Sequence, residues 1–347
     1  MSASADPDGR SHCLPLGLTG PGGRLTFASV LVRRGRLIAA FLGVAVSVVV
    51  VASAPSPVGA YTPPPNIPWV TLFPGVPTLL NPQFQGVPGC ETPTMACIDG
   101  EIATLDAIRV HFGCDHRAVF ATTYELLTMQ LKHDINANPH LFHDLSWLIA
   151  EDVTFVNLYT DAISKYESGK PVPKAWQIAF DMAAKGDVNA VQDMLLGINA
   201  HVQRDMPFML AAVGLHAPDG TSRKPDHDVV NAVLNRAFER VTDVISARFD
   251  PIESFIAPGS NVVTNLTGYV GNVAGDQVVE LWREIVWRHA ESLLNATSAA
   301  QLARVKTSIE TNAAGWANAI RSIQVPGYRA FRDKYCAVHN VGPLTLG

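Results

Sequence analysis

The sequence predicts an all-α fold, a single bundle-like domain of about eight helices after an irregular Pro-rich N-terminal segment. Three observations carry that prediction. From Asp99 onward apolar residues recur at helical spacing, and few stretches alternate as a strand would. The periodic stretches are bounded by helix punctuation, with Asp115, Asp187 and Asp226 as candidate N-caps and Gly186 and Gly214 as stops. The chain is also long enough for a substantial core: without residues 1–60, 287 remain.

Residues 1–60 read as a leader. Arg33-Arg34-Gly35-Arg36 precedes an uncharged run from Leu37 to Ala54, and Val58-Gly59-Ala60 gives a small-x-small cleavage signal before Tyr61. This predicts export to the outside of the cell or the cell envelope, with an uncleaved membrane anchor as the alternative because the run nears spanning length. The stretch before the basic group is longer than a signal peptide needs, which points to a start near Val30 or Val32.

Residues 61–97, opening on "YTPPPNIPW", form an extended Pro/Gly-rich lead-in, since repeated Pro cannot donate to helix or sheet ladders. Residues 98–347 form the helical domain. Its spacing predicts helices over 99–112, 115–134, 143–167, 173–185, 187–213, 226–248, 274–296 and 298–324. Ser298 and Gln301 stand at capping-box spacing. Between Ala257 and Gly275, "APGSNVVTNLTGYVGNVAG" carries four glycines and no Lys or Arg, which predicts a long surface loop rather than a phosphate cradle.

The leader holds five Arg and two Asp, so the remaining chain has a net charge of −8. That excludes nonspecific nucleic-acid binding, which needs a basic footprint. Cys90, Cys97, Cys114 and Cys336 follow the leader, an even number that suits disulfides in an oxidising compartment. The preferred pairing is Cys90 with Cys97 as a local loop and Cys114 with Cys336 tying the tail to the first helices.

No H-E-x-x-H, G-x-S-x-G or Walker loop occurs, so any chemistry must come from dispersed side chains. In "GINAHVQRDMP", residues 197–207, His201 and Asp205 are four apart and share a helix face, a spacing open to two metal ligands or to a buried His–carboxylate bond. Asn199 points the other way and is expected to brace a neighbouring helix. Pro207 can kink the helix so that Asp205 faces His227, in "KPDHDVVNAVL". There Asp226 and Asp228 stand at a helix start, where carboxylates also complement the dipole. His133 and Asp134, with His140 and His143 behind them, end an earlier helix and are candidates for the same site. Within "EDVTFVNLYTDA", residues 151–162, Asp152 and Tyr159 share a face, and Tyr159 is a candidate partner for a core carboxylate. The tryptophans after the leader, Trp147, Trp176, Trp282, Trp287 and Trp316 among them, are expected in the core or a pocket wall.

"DVTFVNLYTDA", "KAWQIAFDMA", "LLGINAHVQRDMP" and "HDVVNAVL" resemble, in order and spacing, an uncharacterised actinobacterial family of unknown function that carries the number five-nine-nine-five. The resemblance spans roughly residues 115–245 and leaves the chain after about 250 uncovered. It implies a fold and no mechanism. A more distant likeness joins His201, Asp205 and Pro207 to the helical zinc phospholipases C and S1/P1-type nucleases, in which His-x-x-x-Asp on a helix is followed by Pro. The chain departs from those families at Tyr61, where they have Trp, and at His227, which begins no second His-x-x-x-Asp/Glu element.

Two functional readings follow. In one, the protein is an exported divalent-metal hydrolase of phosphoesters or lipids. His201, Asp205, Asp226, His227 and His133 would hold a metal such as zinc, and Asp205 or Asp228 would serve as base. In the other it is a non-catalytic helical binding or structural protein of the cell envelope, in which a buried polar cluster faces a small-molecule or lipid ligand.

Overall fold

A computed structural model describes residues 87–251 and 268–346, giving only the backbone for residue 239 and residues 268–277. The predicted leader, most of the Pro-rich lead-in and much of the expected loop after Ala257 lie outside the described residues. The described part is all-α. Its ten α-helices are α1 (Met95–Phe112), α2 (Arg117–Ala137), α3 (Leu145–Glu167), α4 (Lys174–Lys185), α5 (Ala190–Asn199), α6 (Met206–Val213), α7 (Lys224–Arg248), α8 (Gly268–Leu294), α9 (Ala299–Ile320) and α10 (Tyr328–His339). Among the described residues the only strand-like pairings are two isolated bridges, Val87 with Cys90 and His216 with Ser222.

Two departures account for the extra helices. The single helix expected over 187–213 is divided into α5, a π-helical segment Ala200–Asp205, and α6. Met206 N–H donates to His201 O, five residues back, and Pro207 then lacks the N–H that a continuing α ladder would need. The widened turn carries the chain past Pro207 without ending the helical path. The second departure is α10, whose sequence "YRAFRDKYCAVH" buries only Arg332 and Cys336, too narrow an apolar stripe to announce a helix. The loop expected through Gly275 also ends early, because α8 begins at Gly268.

The stop signals act as expected: Gly186 ends α4 with a left-handed φ of 72°, and Gly214 ends α6. Capping is shifted at α5, where Asn189 and Gln192 form the capping box, while Asp187 accepts from Gly327 N–H instead. Asp226 lies within the first turn of α7 and serves another helix, accepting from the backbone N–H groups of His143 and Asp144 at the entry to α3.

Helix α2 is buried along most of its length and packs against α1 and α7. Trp147, Trp176 and Trp287 are fully buried. The predicted cysteine pairs are the observed ones: Cys90–Cys97 ties the segment before α1 to that helix's first turn, and Cys114–Cys336 ties α10 to the α1–α2 turn. Two disulfides fit an oxidising compartment, and no described helix is long and apolar enough to cross a membrane.

Candidate functional site

A cavity of about 120 Å³ lies among α2, α3, the π segment, α6, α7 and α8. Its walls are mainly apolar, with Phe120, Phe155, Val202, Met206, Val233 and Phe238 prominent. Exposed Asn235 also lines it and marks its approach to solvent. The buried or half-buried polar groups that reach it are His201, Glu151, Asp152, Tyr124, Thr128 and Arg283.

His201 is buried, its ring stacked on Phe155 with centroids 3.3 Å apart and planes 7° from parallel. Tyr124 meets the same ring edge-on at 4.7 Å. Phe120 meets His201 edge-on at 5.6 Å, and Gly197 lets Phe120 pack this closely, because a Cβ there would sit 2.3 Å from its Cδ2. His201 Nδ1 lies 3.5 Å from Asp205 Oδ2, at the outer limit of a hydrogen bond. Asp205 is held more tightly elsewhere: Trp176 Nε1 donates to Oδ2 at 2.7 Å and Arg204 Nη1 to Oδ1 at 2.8 Å. Burial lowers the His201 pKa, with Asp205 opposing only in part, so the ring is neutral near pH 7.

Three carboxyl groups come from α1 and α3, Glu101 and Glu151 buried and Asp152 half-buried. Glu101 of α1 faces Asp152 of α3, and burial together with that neighbouring carboxyl pushes Glu101 up to about 12. Burial also raises Asp152, whose Oδ1 accepts from Tyr124 Oη at 3.3 Å. Two carboxyl groups this close in a low-dielectric setting cannot both ionise, so the pair retains a proton. Glu151, the residue beside Asp152, is pushed up to about 8, chiefly by burial. Its Oε1 lies 3.1 Å from His227 Nδ1. Arg283 Nη2 approaches the same nitrogen at 3.2 Å and donates to His227 O at 2.5 Å. Burial, then the positive charge of Arg283, hold His227 well below its ordinary range.

The sequence candidates therefore separate. His201 and Asp205 stay together in the π segment, whereas His227 joins Glu151 and Arg283. Asp226 binds the backbone at the entry to α3, with His143 Nδ1 3.0 Å from its Oδ1. Asp228 pairs with Lys224 at 2.7 Å. His133 is exposed on α2. Among the described residues no group of three or more His, Cys, Asp or Glu side chains is placed to hold a metal ion. Asn199 braces α9 as expected, donating from Nδ2 to Ala313 O at 2.9 Å. Tyr159 does not bond a core carboxylate; its Oη has no hydrogen-bond partner, and Tyr124 takes that part.

Glu101, Tyr124, Glu151 and Arg283 did not stand out in the sequence, yet three of them carry a signal. Glu151 directly follows the apolar run Trp147–Ala150, and Arg283 stands in the stripe Val279, Trp282, Val286, Trp287, Ala290. Glu101 lies between Ile98 and Leu105 at the same kind of spacing. A charge at a position where the period demands an apolar residue marks a buried polar group.

No curated protein and no solved structure matches this chain. The likeness to zinc phospholipases C and S1/P1-type nucleases is thus supported by no comparison. Residues 98–323 match the family of unknown function DUF5995, a span that runs beyond 115–245 and takes in α8 and α9. The chain belongs to the DUF5995 family of unknown function.

Proposed function

We propose that the protein is a non-catalytic helical binding protein of the cell envelope or exterior that holds a small, largely apolar molecule in the cavity between α2, α3, α7 and α8. One observation carries this reading. The cavity combines apolar walls with buried polar atoms that have no hydrogen-bond partner in the protein, among them His201 Nε2, Glu151 Oε2 and Arg283 Nε. Natural interiors leave few such atoms unsatisfied, and a bound ligand is one way to satisfy them. A cavity of about 120 Å³ is close to the ~150 Å³ that accepts a benzene ring.

Thermal unfolding of the full chain with benzyl alcohol or indole tests this. The melting temperature should rise with either probe, and the rise should vanish in Val233→Trp, which fills the cavity. No stabilisation by either probe would remove the binding reading.

The metal-dependent hydrolase is the second reading, favoured by the His201–Asp205 pair alone. Trp176 and Arg204 already occupy both Asp205 oxygens, which makes that carboxylate a poor ligand or base without rearrangement. Metal content after incubation with zinc or manganese decides it: stoichiometric metal in the wild type that is lost in His201→Ala would restore it.

A further inference from the structure

The polar end of the cavity specifies the charge of its ligand, an inference that rests on the binding reading above. Arg283 is 3% exposed and lines the cavity. Its Nη2 donates to His227 O and His227 Nδ1, its Nη1 meets only Met206 Sδ at 3.7 Å, and its Nε has no partner. Among the described residues no carboxylate pairs with it. The charges that act on it from further away are Glu151, Asp228 and Glu280.

Glu151 Oε1 and Arg283 Nη2 both approach His227 Nδ1, at 3.1 and 3.2 Å, and no salt bridge joins Glu151 to Arg283 directly. Burial, with the neighbouring carboxyl groups of Asp152 and Asp226, outweighs Arg283 and pushes Glu151 up to about 8, which favours the neutral acid at pH 7. The groups facing it are His227 and Asp226 from α7, Arg283 from α8 and Asp152 from α3, and of the charged ones only Arg283 favours its ionised form.

A buried guanidinium beside a neutral acid is a cation without a counter-ion, an arrangement that is costly unless an anion arrives. We propose that the cavity binds a small organic monoanion, a carboxylate carried on a single aromatic ring or a short aliphatic chain, with the carboxylate on Arg283 Nε and the apolar part against Phe155 and Val233. The single positive charge selects a monoanion over a phosphate monoester, which carries nearly two negative charges. Ionised Glu151 would itself neutralise Arg283, so the acid ligand competes with deprotonation of that side chain.

Calorimetric titration of the full chain with sodium benzoate and with benzyl alcohol tests the proposal. At pH 7 benzoate should bind at least about tenfold more tightly, as a charge-assisted hydrogen bond implies. That advantage should disappear at pH 9, and Arg283→Met should bind benzoate no better than benzyl alcohol. Benzyl alcohol binding the wild type as tightly as benzoate at pH 7 would overturn the anion while leaving the binding reading intact. A benzoate advantage unchanged at pH 9 or in Arg283→Met would overturn it as well, and binding of neither probe would remove both readings. Should Arg283→Met fail to fold, the wild-type comparison at the two pH values decides.

Discussion

Arg332 and Arg283 are both buried arginines on late helices, at 1% and 3% exposure, yet their surroundings differ in kind. Arg332 of α10 has Asp193 at 2.6 Å and Asp250 at 3.5 Å, and its Nη1 also donates to Val188 O. The guanidinium is neutralised within the fold, and beside it Cys114–Cys336 fastens the same helix. Arg283 of α8 has a backbone carbonyl, a histidine nitrogen and a cavity. Where a buried charge is matched by protein carboxylates it holds helices together. Where the match is missing and a cavity takes its place, the charge is available to a ligand.

The largest expected effect breaks the first arrangement. Arg332→Met removes the guanidinium that buried Asp193 and Asp250 share and should cost about 3–5 kcal/mol, the range for removing one partner of a buried ion pair. Urea denaturation measures it, and a loss below 1 kcal/mol would mean that the pair is not what anchors α10.

Cys336→Ser removes the long-range disulfide from the same region. It should cost about 2–4 kcal/mol, chiefly by releasing a large loop in the unfolded chain. Wild-type protein treated with reductant should lose at least as much stability in the same assay, because Cys90–Cys97 opens as well.

The second arrangement is sharpened by pH. Glu151 goes from an ordinary value of 4.5 to about 8 on folding, so the folded state binds more protons than the unfolded one between those values. Stability contributed by its neutral form is complete below about 4.5, is lost progressively as pH rises to about 8, and changes no further above that. Glu151→Gln should therefore gain on the wild type across this window, by up to ~1.4 kcal/mol per pH unit. Parallel stability–pH curves for the two proteins would show that Glu151 does not titrate as its surroundings dictate.

The smallest effect is the most direct test of the contrast. Arg283→Met should change stability by less than ~1 kcal/mol or raise it, because no ion-paired carboxylate is stranded and an apolar side chain suits the cavity wall. A loss as large as that of Arg332→Met would erase the distinction between the two arginines.

Much of the architecture could be read along the chain. The periods of three and four placed most helices to within a few residues, Gly186 and Gly214 stopped theirs, and Asn199 could be separated from His201 because 100° per residue puts them on different faces. The candidate site was harder. His201 and Asp205 were visible because they are near in sequence, while Glu151 meets His227 across 76 residues and Arg283 meets it across 56. Asp226 looked like the cap of its own helix and serves the entry to α3 instead, since carboxylates near a helix start suit several partners.

What the sequence by itself determined is therefore local: helix spacing, stops, the even set of cysteines, and charges set into apolar stripes, each governed by neighbours within one or two turns. Only the tertiary structure decided which buried charges find counter-ions. Ion pairing inside a protein depends on separations of a few ångströms between helices, and those separations are set by packing, such as Phe120 against Gly197, that no single helix encodes.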